Sequence, residues 1–123
     1  MRILIDTSVL VSILRGDRKL KEKLKKLAEE NELIISGITE AEIFSGKDMD
    51  VKEKREKIAD LIEKFSKINP TNKIMREAGR IRRKYGIPLL DSIIIATAEV
   101  SDAVIFTLDR KHFKKVEEVK LVF

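Results

Sequence analysis

Along this chain of 123 residues, short unbroken apolar runs alternate with stretches in which apolar side chains recur every three or four positions. The first pattern predicts buried strands and the second amphipathic helices. Arg2-Ile3-Leu4-Ile5 is a first strand that stops at Asp6-Thr7-Ser8, and residues 9–14 have helical character as far as Gly16. Asp17 is an N-cap for a helix that sets Leu20, Leu24 and Leu27 on one face among lysines and glutamates. Leu33-Ile34-Ile35-Ser36 is a second strand, and residues 39–44 make a helical turn or two ending near Gly46. Residues 47–57 are a dense charge run, read as a solvated loop and helix start. Ile58, Leu61, Ile62 and Phe65 then form a helical stripe.

Lys67-Ile68-Asn69 ahead of Pro70 is a short third strand. Thr71 or Asn72 caps a further helix with Ile74, Ala78, Ile81 and Tyr85 on one face, and Gly86 closes it. Pro88, suited to a first helical position, opens the almost wholly apolar Leu89-Leu90-Asp91-Ser92-Ile93-Ile94-Ile95-Ala96-Thr97-Ala98. Ala103-Val104-Ile105-Phe106 is a fourth strand running on to Thr107-Leu108-Asp109, so Asp91 and Asp109 both stand where burial is expected. Residues 110–116 form a short helix or turn, and residues 119–123 a terminal strand. Fully apolar strands alternating with helices predict a single α/β domain over residues 1–123, with a parallel sheet of about five strands covered by helices on both faces.

Composition narrows the chemistry. There is no cysteine, which removes disulfides, thiolate metal sites and a cysteine nucleophile, and there is one histidine. Lys and Arg total 26 against 21 Asp and Glu, a net charge of +5 that is compatible with nucleic acid and equally with solvated helical faces. No stretch resembles a signal peptide or is apolar for long enough to span a bilayer, so a cytoplasmic protein without membrane contact is expected.

Ligands of open parallel sheets bind at the carboxyl ends of the strands. Asp6 follows the first strand, Asp109 follows the fourth, Glu42 lies on the helix leaving the second, and Asp91 lies in the first turn of the apolar helix. Four acids gathered at one sheet edge need a counter-charge, and all-oxygen donors favour Mg²⁺ or Mn²⁺ over Zn²⁺. Phosphodiester hydrolysis is the chemistry such a site serves. Glu40 is an alternative to Glu42, about 200° away around a helix. His112, flanked by lysines and with no partner visible in the sequence, is expected at the surface. Arg15, Arg110, Lys111 and Lys114 fall in segments near the acidic edge and are candidates for holding phosphates, or equally for ordinary solubility.

Four blocks together resemble the PIN domains, in particular the VapC-type toxins of prokaryotic toxin–antitoxin pairs. They are Ile5-Asp6-Thr7-Ser8, Ile38-Thr39-Glu40-Ala41-Glu42-Ile43, Leu90-Asp91-Ser92 with the helix after it, and Phe106-Thr107-Leu108-Asp109 followed by His112-Phe113. The resemblance covers essentially the whole chain, with Ser8 standing where many relatives have Asn. It implies a three-layer PIN-like fold and a metal-dependent endoribonuclease. Asp6, Glu42, Asp91 and Asp109 would be its catalytic, metal-binding acids, with Asp109 the least secure, and Ser8 and Thr107 would support them. It favours Glu42 over Glu40. It further implies a homodimer and a small VapB-type antitoxin, with the stripe from Ile58 to Phe65 in the core or in one of those contacts. A PIN-like module that binds RNA or a protein without cutting is the alternative, and would tolerate loss of the acids. A flavodoxin-like phosphoryl-transfer domain would need an Asp closing the third strand, where Asn69-Pro70 stands instead.

Overall fold

The short apolar runs become strands because each can bury both faces at once, and the computed structural model shows how. It describes residues 1–117 and Leu121. The elements run β1 (Arg2–Ile5), α1 (Thr7–Leu14), α2 (Arg18–Glu30), β2 (Glu32–Ser36), α3 (Gly37–Phe44), a 3-10 turn (Lys47–Asp50), α4 (Lys52–Glu63), β3 (Ser66–Ile68), α5 (Asn72–Tyr85), α6 (Leu89–Val100), β4 (Ala103–Phe106) and α7 (Arg110–Phe113). Among the described residues, four strands form one parallel sheet in the order β3-β2-β1-β4. Leu121 adds an isolated parallel bridge to Ile105. The rest of the terminal strand anticipated over residues 119–123 lies outside the described residues.

Alternate residues of each strand feed opposite cores, as a period of two requires. Leu4, Ile34 and Ile105 face a cluster built with α5 and α6 from Ile74, Ala78, Ile81 and Ile93–Ile95, together with Phe113 of α7. Ile3, Ile5, Ile35 and Phe106 face the other cluster, with Val9, Leu10 and Ile13 of α1, Leu20 and Leu24 of α2, and Ile58 and Ile62 of α4. Helices thus cover both faces. Among the described residues no helix is long and apolar enough to cross a membrane.

Local chemistry sets most of the boundaries. Asp17 accepts from Leu20 N–H at the start of α2, and Thr71, rather than Asn72, caps α5 by accepting from Ile74 N–H. Gly86 ends α5 at φ 67°, a left-handed conformation that favours glycine. Pro88 stands one position earlier than anticipated, at the N-cap of α6 with ψ 148°. Helix α3 starts at Gly37 instead of Thr39, because the Ser36 hydroxyl accepts from Ile38 N–H and caps it there. The charge run is only partly solvated loop: its 3-10 turn buries Met49 against α4. Met49 was hidden in the sequence by the charges around it. β3 is Ser66–Ile68, one residue ahead of the run read from the sequence.

β2 and β3 follow β1 outward on one side, while β4 returns to pair on the other. The chain therefore reverses its direction of travel between β1 and β4. Helices leaving neighbouring strands part at such a point and open a crevice at the carboxyl ends.

Candidate active site

Asp6 and Asp109 flank that crevice from the ends of β1 and β4. Both occupy helix N-cap positions, of α1 and α7 respectively, and neither side chain caps its helix. An aspartate that caps contributes about 1 kcal/mol to its helix. Asp6 gives that up and turns Oδ2 to two hydroxyls, Ser8 Oγ donating at 2.7 Å and Thr107 Oγ1 at 2.8 Å. Ser8 in turn accepts from Leu108 N–H at 3.0 Å, and Thr107 accepts from Asp109 N–H at 3.0 Å. The two hydroxyls therefore clamp Asp6 and knit the β4–α7 loop to α1. Asp6 is buried, at 7% exposure.

Glu42 comes from α3, and its Oε1 accepts from Thr7 Oγ1 at 2.8 Å. The Thr7 hydroxyl also touches that of buried Thr39, 3.1 Å away. Burial pushes the Glu42 carboxyl above its usual value; the Thr7 hydrogen bond opposes this, and the charges of Asp6 and Asp91 reinforce it. Glu40 points away and pairs with Lys67 at the far side of α3. Glu42 is thus the glutamate that faces the other acids.

Asp91 lies in the first turn of α6, half-buried rather than enclosed. Burial again raises its carboxyl, His112 opposes, and Asp6 and Asp109 add to the rise. His112 is not the unpartnered surface residue anticipated from its lysine neighbours. Its Nδ1 lies 2.8 Å from Asp91 Oδ2 and 3.9 Å from Asp109 Oδ2. Helix α7 is what carries it there, and a four-residue helix leaves no periodic signal in the sequence. Asp109 itself is exposed, with 53% of its side chain accessible. The burial anticipated for it fails because the chain leaves the sheet after Phe106, so Asp109 sits on the rim.

Thr7 and Thr39 were not singled out in the sequence, and His112 was assigned to the surface. Each acts across the sheet's carboxyl edge on an acid or hydroxyl far away in the chain, and sequence spacing carries no trace of such pairing. Among the basic candidates, Arg15 lines the clefts on both sides of α1, beside Glu42 and beside Asp109. Arg110, Lys111 and Lys114 lie on or just after α7, with Lys111 and Lys114 exposed.

The donor set is all carboxylate oxygen, which suits a hard divalent cation. Among the described residues, each of the four acids keeps a carboxylate oxygen that makes no hydrogen bond or ion pair. The gathering is looser than four acids around one point: no three histidine or acidic side chains among the described residues close tightly enough to cage an ion. Each carboxylate is drawn aside by its own partner, Asp6 by Ser8 and Thr107, Glu42 by Thr7 and Asp91 by His112.

Known proteins resemble this chain from end to end. Ribonuclease VapC10 of Mycobacterium tuberculosis is 35% identical over 98% of this chain and 92% of its own length. A toxin–antitoxin complex from Klebsiella pneumoniae superposes with a TM-score of 0.79 at 30% identity, covering 95% of this chain and 94% of the other. VapBC2 of Rickettsia felis, solved bound to a DNA fragment from its promoter, shares the fold with a TM-score of 0.88 at 22% identity over 99% and 98% of the two chains. Residues 3–119 match the PIN domain family, and with Asp6, Glu42, Asp91 and Asp109 gathered at the carboxyl end of a parallel sheet, the chain belongs to that family.

Proposed function

We propose that this protein is a metal-dependent endoribonuclease, the toxin of a toxin–antitoxin pair, and that it hydrolyses RNA phosphodiester bonds at Asp6, Glu42, Asp91 and Asp109. The observation that carries the reading is that Asp6, Glu42 and Asp91 come from three separate segments and meet at the carboxyl edge of the sheet, where burial first, and the charge of Asp6 after it, raise the carboxyls of Glu42 and Asp91. Clustering ionisable groups at such a cost to the fold marks a functional site. The ribonuclease activity of the mycobacterial relative and the assembly of the Klebsiella relative support the substrate and a VapB-type antitoxin partner. The family resemblance further implies a homodimer as the working form.

Mg²⁺ or Mn²⁺ would be held by Asp6, Glu42 and Asp91, with Asp109 assisting from the rim. When bound, the ion supplies water activation and charge stabilisation for phosphodiester cleavage. The protein's own part is orientation. Ser8 and Thr107 fix one oxygen of Asp6 and leave the other without a hydrogen bond. Thr7 does the same for Glu42. Helix α6, buried from Ser92 to Ala98, holds Asp91 on a rigid mount. His112 stands against Asp91 and Asp109 and is not required as a base.

The test incubates purified protein with labelled single-stranded RNA in Mn²⁺ or in EDTA. Fragments in Mn²⁺ alone, and none with Asp91→Asn, are the expected result. Intact RNA under both conditions, together with growth arrest on expression that Asp91→Asn does not relieve, would overturn the reading in favour of a binding module.

A further inference from the structure

Two clefts flank α1, and one ridge divides them. The first, about 380 Å³, lies between α1, α3, the 3-10 turn and α4; Leu14, Ile43, Met49 and Ile58 give it an apolar floor, and Glu42, Lys47 and Asp48 also line it. The second, about 470 Å³, lies between α1 and the β4–α7 loop, lined by Ser8, Ser12, Leu108 and Asp109. The residues they share are Val11 and Arg15, four positions apart and therefore neighbours on one helix face. Arg15 is exposed, and among the described residues its guanidinium makes no hydrogen bond or ion pair. An acid of the site opens onto each side of it, Glu42 on one and Asp109 on the other.

We infer that RNA crosses α1 as a single strand, with Arg15 gripping a backbone phosphate on the ridge and the two flanking nucleotides lying one in each cleft. The inference rests on the nuclease reading and adds the path of the substrate. A planar guanidinium offers paired donors to a phosphate, and this one has no internal partner to surrender first. Each cleft falls within the roughly 300–1,000 Å³ of small-ligand pockets, room for one nucleotide unit and not for a helix. Bases paired and stacked within a duplex cannot be turned into either cleft, whereas unpaired bases can, and the apolar floor beside Glu42 suits the face of a base. Acids stand on both sides of this path, and Arg15 places a positive charge on the ridge between them.

The experiment measures fluorescence anisotropy of a short labelled single-stranded RNA in EDTA over a range of KCl concentrations, with the wild type, Arg15→Ala, Arg15→Lys and Lys25→Ala. Lys25 lines a separate groove between α2 and α4 and serves as a control for general charge. Arg15→Ala is expected to weaken binding about 5- to 10-fold and to lower the slope of log affinity against log salt by about 0.7, the share of one phosphate contact on a single strand. Arg15→Lys should restore the slope and only part of the affinity, because the charge returns without the paired donors. Lys25→Ala should match the wild type, and a duplex of the same sequence should not distinguish Arg15→Ala from the wild type. An unchanged slope in Arg15→Ala, a loss as large in Lys25→Ala, or no binding by the wild type overturns the strand path and leaves the clefts to a protein segment. Cleavage by the wild type in Mn²⁺ is followed in parallel. Its absence overturns the nuclease reading, whereas cleavage with an unchanged slope overturns only the path.

Discussion

Thr107 Oγ1 donates to Asp6 Oδ2 at 2.8 Å, joining the ends of β4 and β1 across 101 residues of chain. With Ser8 on the same oxygen, it leaves Asp6 one way to face. Thr107→Val keeps the shape and removes the donor. RNA cleavage should fall about 10- to 100-fold, as for other groups that orient ligating side chains, while stability in urea falls by about 1–3 kcal/mol, the cost of a buried hydrogen bond to a carboxylate. Thr107→Ser should recover most of the rate. Equal turnover by Thr107→Val and the wild type would refute the orienting role.

Glu42 and Asp91 are held in the fold against their own charge, since burial raises both carboxyls. Glu42→Gln and Asp91→Asn should therefore each raise Tm by a few degrees in EDTA at neutral pH while abolishing cleavage, the trade expected where a site is kept at the expense of stability. Calorimetry of the three proteins in the same buffer decides it. A lower Tm in both variants would show that the acids stabilise the fold.

The pH dependence of that gain has a fixed sign. A carboxyl whose folded pKa lies above its unfolded value binds its proton more tightly in the native state, so stability falls as pH rises through the interval between the two. In EDTA, the Tm advantage of Asp91→Asn over the wild type should be small near pH 4 and larger at pH 7. An advantage that shrinks on going from pH 4 to pH 7 contradicts the cause given for the shift.

The two glutamates of α3 should separate cleanly. Glu40 pairs with Lys67 at a partly exposed site, a contact that contributes about 0–1 kcal/mol. Glu40→Gln is expected to keep full cleavage and nearly full stability, whereas Glu42→Gln loses cleavage. If Glu40→Gln proves the inactive one, the facing of α3 given above is wrong.

The sequence by itself determined the fold class and most of the elements, and it offered the candidate acids, because those depend on signals that are local. An apolar run of Ile, Leu and Val must find a buried strand or helix, Gly86 must end a helix, and an Asp directly after a strand stands at the sheet's carboxyl edge wherever that strand pairs. Glu42 was separated from Glu40 by family resemblance, while geometry alone left the two open, since a short helix with apolar residues on more than one side has no phase to read. Only the tertiary structure decided what each acid touches. Ser8 and Thr107 on Asp6, Thr7 on Glu42 and His112 on Asp91 are pairings between segments that meet only when β1 and β4 lie side by side. The exposure of Asp109 and the position of Arg15 between two clefts have the same origin. They depend on where the chain leaves the sheet and on which helices part around α1, and strand order settles both.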